Sequence, residues 1–406
     1  MKKYFTLFLL LLFFGNNMRA QTQTNEKKST PVMGWSSWNN FRTDINEQLI
    51  KQQADALVTS GMKAAGYTFI NIDDGFWGGR DDKGYIIPHP VRFPGGMKNI
   101  AAYIHSKGLK AGIYSDAGIH TCASMWDKDT IGSGMGLFGH EFHDLQQMLR
   151  DWDYDFIKVD WCGGDAMGLD EEVRYTMIAN IIKQIRPGTV YNVCRWQFPG
   201  KWVCNIADSW RISGDIDNTF KSILHIIDLN ADLWKYAGPG HVNDMDMLQV
   251  GRGMTYEEDK THFSMWCMMA SPLLAGNDLS HMSEETISIL TNKEMIAIDQ
   301  DALVYQARKL QDYGEQEVWA RPLVHTMSGK VAVALLNRSD AAAGIALTID
   351  SVGLDAAKGY IIHDVWTKKT SGKEVKQELN FTVPPHGIIV LTITGVSLPF
   401  NIYQKK

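Results

Sequence analysis

The feature that most constrains this chain is a repeated change of hydrophobic period. Eight short apolar, β-rich runs occur: MGWSSW (33–38), FINIDD (69–74), KAGIYSD (110–116), FIKVDWC (156–162), TVYNVC (189–194), SWRISGD (209–215), HVNDMDML (241–248) and PLLAGND (272–278). The segments between them carry apolar residues at three- and four-residue steps. NEQLIKQQADALVTSGMKAAG, GMKNIAAYIHSKG and EEVRYTMIANIIKQIRPG each end in glycine, as helix stops do. Strand–helix alternation implies a parallel sheet, because each crossover returns the chain to start the next strand in the same direction. Eight such units fit a (β/α)8 barrel. A doubly wound open sheet is the rival, but it calls for a glycine-rich phosphate turn after the first strand, and MGWSSW has none.

After about Ala307 the texture changes. VWARPL, KVAVALLN, GIALTID, YIIHDVW, LNFTV and GIIVLTIT are short runs read as alternating, broken by Ser, Gly, Asp and Asn turns, with no convincing helix between them. They predict an antiparallel β-sandwich. At the other end, Lys2-Lys3 precede the apolar run Phe5–Phe14, and Met18-Arg19-Ala20 offers a small residue before Gln21. That is the build of a secretory signal peptide, and the run is too short to span a bilayer. The expected organisation is a signal peptide at 1–20, a linker at 21–30, a catalytic (β/α)8 barrel at 31–306 and a C-terminal antiparallel β-sandwich at 307–406. Export to the periplasm or outside the cell follows, with no membrane insertion once the leader is cleaved, in a compartment where disulfides persist. The five cysteines (Cys122, Cys162, Cys194, Cys204, Cys267) include no CxxC, so zinc is not expected.

Charge excludes one partner class. With 40 Lys+Arg against 46 Asp+Glu, a net charge of −6 and no basic stretch, the chain is a poor match for a nucleic-acid backbone. Its chemistry gathers at the carboxyl ends of the predicted strands, where barrel enzymes place reacting groups. Those ends carry Trp38, Asp73-Asp74, Tyr114 and Asp116, Lys158 and Asp160, Arg195-Trp196, Arg211 and Asp215, Asp244 and Asp246, and Asn277-Asp278. A single Asp there is ordinarily a helix cap or turn former. Lys158 and Asp160, two apart, share a strand face, and Asp215 follows Arg211 by four. A carboxylate held near a cation stays ionised, as a nucleophile requires, while a second carboxyl in drier surroundings can keep a proton and act as general acid. Acidic strand ends with tryptophan, and no metal or cofactor motif, suggest sugar chemistry with two carboxyls flanking a glycosidic bond. HEFH (140–143) lacks the spacing of a zincin and reads as opening the helix before the fourth strand. The Asp-rich stretch DDGFWGGRDDKG misses the EF-hand pattern. Asn337-Arg338-Ser339 and Asn380-Phe381-Thr382 match the glycosylation triplet, a match common by chance.

Taken in order, MGWSSWNNF, NIDDGFW, KGLKAGIYSDAG, IKVDWC, SWRISGDI, GPGHVNDMDMLQVG and SPLLAGNDLS resemble the signature segments of glycoside hydrolase family 27, the α-galactosidase / α-N-acetylgalactosaminidase family. The resemblance spans residues 31–306 and extends weakly to VPPHGIIVL. It implies a retaining, exo-acting glycosidase that needs no metal or cofactor and acts on galactose-containing glycans. It places the nucleophile on Asp160 and the acid/base on Asp215. It also implies Asp73 and Asp74 on the axial O4 and the O6 of galactose, Lys158 on O3 and O4, Arg211 on O2 and a carboxylate, Trp38 and Tyr114 against the sugar, and Asp246 at the floor. Cys122 and Cys162 fall where the family has a disulfide. Two departures stand out. Arg195, in Cys194-Arg195-Trp196, replaces a glutamate that in α-galactosidases contacts the 2-hydroxyl side, exchanging an acceptor for a donor; it is expected to alter O2 recognition or reach a leaving group. Gly75 replaces a cysteine, removing a common second disulfide, and Cys194 with Cys204 is the replacement pair to examine. Within the family the alternative activity is a β-L-arabinopyranosidase, because that sugar is galactose without its C6 group. From another class, the alternative is a non-catalytic carbohydrate-binding barrel.

Overall fold

The computed structural model describes residues 30–323, 329–399 and 402–403; the expected leader and residues 21–29 of the expected linker lie outside them. Every expected barrel strand is present: β1 (Met33–Ser36), β2 (Phe69–Ile72), β3 (Lys110–Asp116), β4 (Phe156–Asp160), β5 (Val190–Val193), β6 (Ser209–Arg211), β7 (Val242–Asp244) and β8 (Leu273–Ala275). They pair in parallel in the order β8-β1-β2-β3-β4-β5-β6-β7. The two outer strands meet just beyond β7, where Leu248 bridges Ala275 and its N–H donates to Leu274 O at 2.7 Å. The sheet therefore closes, and the open doubly wound rival is excluded. Several strands stop short of their apolar runs. The leftover residues, Asp73-Asp74, Cys194, Asp215 and Asp246 among them, become the loops at the mouth.

Local chemistry explains the crossovers. The Asn46 side chain caps helix Glu47–Thr59 by accepting from Leu49 N–H, Asp170 caps Glu171–Ile185 through Val173 N–H, and Thr255 with Glu258 forms a reciprocal capping box on Tyr256–Met268. The first expected helix is split: Gly61, at φ +87°, separates Glu47–Thr59 from Met62–Ala65. HEFH opens helix Glu141–Gln146 ahead of β4, as its position implied.

The C-terminal strands are β9 (Arg308–Asp312), β10 (Gln316–Pro322), β11 (Lys330–Asn337), β12 (Ala343–Thr348), β13 (Ile361–Asp364), β14 (Glu378–Val383) and β15 (Ile388–Thr394). Five form one antiparallel sheet, ordered β9-β10-β11-β15-β13, and β12 pairs with β14 in another. In β11 the reading of an alternating run is corrected, since seven of its eight residues are buried. Ala332, Ala334 and Leu336 join the barrel core through one face, while Val331, Val333 and Leu335 join the sandwich core through the other. A strand covered on both sides loses its polar alternation. Helix Tyr256–Met268 is the barrel element beneath this sheet: Thr261 Oγ1 donates to His386 O at 2.8 Å, and Trp366 Nε1 donates to Ser264 at 3.0 Å.

Candidate active site

β3 and β4 build the base of the site. Their register sets Tyr114 beside Lys158 and Asp116 beside Asp160. Lys158 Nζ donates to Asp73 Oδ2 at 3.0 Å and lies 3.6 Å from Asp160 Oδ2. Burial opposes the lysine's charge, but Asp160 and Asp73 outweigh it and hold the ammonium protonated well above its ordinary range. Asp160 is buried, and its Oδ1 accepts no hydrogen bond among the described residues. Desolvation pushes its carboxyl up, against the pull of Lys158 and a hydrogen bond from the Cys194 thiol.

A cavity of about 400 Å³ opens above these groups, lined among others by Trp38, Asp73, Asp74, Tyr114, Lys158, Asp160, Trp196 and Asp215. It is large enough for a sugar and part of what the sugar is attached to. Asp74 Oδ1 accepts from Trp77 Nε1 at 2.6 Å and its Oδ2 from Ala123 N–H at 2.8 Å. Burial still lifts its carboxyl to about 7. Asp215 also lines the cavity, with its side chain 63% exposed. Arg211 Nη2 approaches it at 3.2 Å. What burial Asp215 has acts to raise its carboxyl, but Arg211 and Lys158 together win and leave it below its ordinary value. The expectation that the second carboxyl would be the drier one is thus corrected: Asp160 is the buried group and Asp215 the exposed one.

Arg211 and Asp246 do not line this cavity. They lie one layer lower, around a small void of about 30 Å³ inside the barrel that Asp73, Tyr114 and Lys158 also touch. The two are ion-paired at 2.8 Å, and Asp246 also accepts from Ile216 N–H at 2.9 Å. Asp246 adopts φ +76°, a left-handed conformation costly for a non-glycine residue, and its Oδ1 accepts from the next N–H, of Met247, at 2.7 Å. Both residues therefore line the inner void and not the cavity wall.

Arg195 is not in the cavity lining. Its Nε donates to Glu171 at 2.7 Å, its Nη2 reaches both Asp165 oxygens at 3.1 Å, and the guanidinium lies over the Trp161 ring. Asp165 on the β4–helix connection and Glu171 at the start of the helix hold the guanidinium outside the cavity lining, which corrects the expectation of a sugar or leaving-group contact. The Cys194–Cys204 pairing is likewise not formed. Cys194 is a buried thiol 3.7 Å from Arg211 Nη1, and Cys204 Sγ faces Tyr236 O at 3.6 Å. Cys122 and Cys162 do form the disulfide the resemblance implied, with Cα atoms 5.1 Å apart. Asp116 lies against them, but sulfurs bonded to one another offer no thiolate to a metal.

Sequence reasoning missed the outer rim. Arg42, from the loop after β1, lies over the Trp38 ring at 4.4 Å and donates through Nε to Asp127 at 3.1 Å. Trp126 and Asp127 end the short helix Cys122–Trp126 and complete the wall. An exposed tryptophan beside a cysteine in a strand-end loop was the one available signal.

Among the carboxylates that line this cavity, Asp160 is buried and Asp215 exposed. Residues 30–301 match the family described as α-galactosidase A, and residues 313–393 match the α-galactosidase C-terminal β-sandwich domain. The chain belongs to glycoside hydrolase family 27. It is 42% identical to α-galactosidase A of Cellvibrio japonicus, over 93% of this chain and 95% of that one. It is 40% identical to α-galactosidase 2 of Arabidopsis thaliana, over 96% of each. Among solved structures it is similar to α-galactosidase I of Mortierella vinacea, with a TM-score of 0.83, 29% identity, and coverage of 92% of this chain and 99% of that one. A β-L-arabinopyranosidase of the same family from Geobacillus stearothermophilus, at 22% identity and a TM-score of 0.80, shares the fold over 93% of this chain and 99% of that one. Lys158 and Asp160 on β4 and Asp215 after β6 reach the same cavity.

Proposed function

We propose that this protein is a retaining exo-α-galactosidase that releases terminal α-linked D-galactose from oligo- or polysaccharides, with Asp160 as nucleophile and Asp215 as acid/base. The observation that carries the reading is that both carboxyls line one cavity whose wall also includes Trp38, Asp73, Asp74, Tyr114 and Lys158. Asp160 attacks the anomeric carbon as Asp215 gives its proton to the departing glycosidic oxygen. Asp215 then removes a proton from water, which displaces Asp160 with the configuration retained. The resting site holds Asp215 ionised. A sugar entering the cavity strips water from that exposed carboxyl and raises its pKa, so binding prepares the acid. Lys158 keeps charge opposite Asp160 throughout.

The intact ion network around Asp73 and Lys158 gives the hydroxyls of a galacto-configured ring a donor and an acceptor side by side. Residues 1–20 are read as an export signal and 31–306 and 307–406 as the catalytic and sandwich domains; a mature amino terminus at Gln21 would support the first. No helix among the described residues is long and apolar enough to cross a membrane.

The test is direct. Asp160→Ala and Asp215→Ala should each lower kcat on an aryl α-galactoside by at least about 10³-fold with an unchanged near-UV circular dichroism spectrum. Proton NMR of the wild-type reaction should show α-galactose first. Near wild-type turnover by Asp160→Ala, or β-galactose as the first product, overturns the assignment.

A further inference from the structure

Trp126 is 73% exposed, an unusual state for the largest apolar side chain, and yet it forms part of the wall of the catalytic cavity. Its position is fixed rather than adventitious. The helix it ends begins at Cys122, which is tied to Cys162 at the end of β4. Cys122 N–H donates to the Tyr114 hydroxyl at 3.1 Å and Ala123 N–H to Asp74 at 2.8 Å. Thr121 caps the same turn, and Asp127 N–H closes it on Ala123 O at 2.9 Å. Trp126 is thus held one helical turn away from the two groups, Tyr114 and Asp74, that line the sugar space.

Beside it, Asp127 is paired with Arg42, whose guanidinium covers Trp38. The pair is electrically closed, so this part of the rim offers hydrogen-bond donors and acceptors without a net field to select an ion. Trp196, half-buried at φ +64°, and Gly214-Asp215 supply further parts of the cavity wall. Under the mechanism above, the leaving oxygen must lie against Asp215, which is the exposed carboxyl at the mouth. The group attached to that oxygen therefore occupies the rim.

We propose that Trp126, with the Arg42–Asp127 pair, forms the leaving-group subsite, and that the group it holds is a neutral pyranose stacked by its C–H face on the indole. The inference rests on the galactosidase reading and adds the class of the second sugar to it. A flat apolar ring flanked by a self-neutralised polar pair suits a sugar face with hydroxyl edges. An anionic residue such as a uronic acid would meet no uncompensated cation there.

The experiment compares two substrates on Trp126→Ala: melibiose, whose leaving group is glucose, and α-galactosyl fluoride, whose leaving group is a single atom. The proposal expects kcat/KM on melibiose to fall about tenfold or more, because interactions remote from the reacting bond contribute to the transition state, while the fluoride reaction stays within twofold. Trp126→Phe should recover part of the loss. An equal fall on both substrates would mean that Trp126 only props up the sugar pocket, and no fall on either would mean that it touches nothing; each outcome overturns the subsite. A wild-type enzyme inactive on both would instead sink the galactosidase reading on which the subsite depends.

Discussion

The barrel mouth and the barrel–sandwich interface each bury an arginine, and they treat it in opposite ways. In the mouth, Arg211 is held between Asp246 at 2.8 Å and Asp215 at 3.2 Å; burial works against its charge, but these acids push its pKa well above the usual value. At the interface, Arg321 is fully buried and donates to the carbonyls of Cys267 at 2.9 Å and Met268 at 3.5 Å. Burial lowers it to about 10. Asp299, in the same apolar setting, is lifted by burial to about 8 and is protonated at neutral pH. On the proposed mechanism, the difference separates a working charge cluster from a structural one: around Asp215 the fold supplies ion pairs. At the interface only Arg321 Nη1 finds backbone oxygens, its Nε and Nη2 being buried without a partner among the described residues, and burial raises the nearby Asp299 carboxyl to about 8.

Arg211→Met breaks the comparison at its strongest point. It strands Asp246 as an uncompensated buried charge and frees Asp215 from the cation that holds it ionised. Stability should drop by about 3–5 kcal/mol in urea titrations. The alkaline limb of kcat/KM, set by the free enzyme's acid, should move to higher pH, with kcat/KM at the optimum down about 100-fold. A limb that stays put would show that Arg211 does not govern Asp215. Arg321→Met is the matched control. The Cys267 and Met268 carbonyls keep their bonds from Ala270 N–H and Ala307 N–H, so the loss should be only about 1–2 kcal/mol, with kcat/KM unchanged. A penalty as large as that of Arg211→Met would erase the distinction.

Asp299→Asn sharpens it through the pH dependence of stability, with no effect on activity. A carboxyl whose folded pKa lies above its unfolded value binds more protons when folded, so stability falls as pH rises between the two. For Asp299 that window runs from its ordinary value of 3.8 to about 8, and the penalty is fully present above it. The asparagine variant should lose less stability than wild type on going from pH 4 to pH 8, and activity should not change. Equal slopes for the two proteins would mean that Asp299 is not a buried neutral acid.

The strands were legible because their period and their glycine stops are local properties. That Asp160 and Asp215 would share a cavity was implied by the family resemblance; the spacing of Asp160 from Lys158 gave only a shared strand face. What stayed hidden depends on contacts across the chain. Nothing near Arg195 in sequence announces that Glu171 and Asp165 will draw it out of the cavity. Cys194 and Cys204 are separated like partners, yet the fold sets one beside Asp160 and the other beside Tyr236. The hairpin Trp77–Arg80 with Ile86–Pro88 was missed because glycine and charge hide its strands. β9 was missed because it is a partly exposed, polar edge strand that shows half of its alternation at best. The dryness of Asp160 relative to Asp215 is a property of the assembled mouth, and no single segment encodes it.

The bond between Cys122 and Cys162 has a consequence for where this chain can work. The barrel's sheet and core do not depend on sulfur, so a copy kept among reduced thiols would still fold its eight strands. It would hold the Trp126 wall by the backbone N–H bonds of Cys122, Ala123 and Asp127, the Thr121 cap and the Arg42–Asp127 pair, without the covalent tie to Cys162. On the proposed export and subsite, oxidation is then a finishing step of maturation that ties the outer-sugar wall to the end of β4 once the compartment turns oxidising.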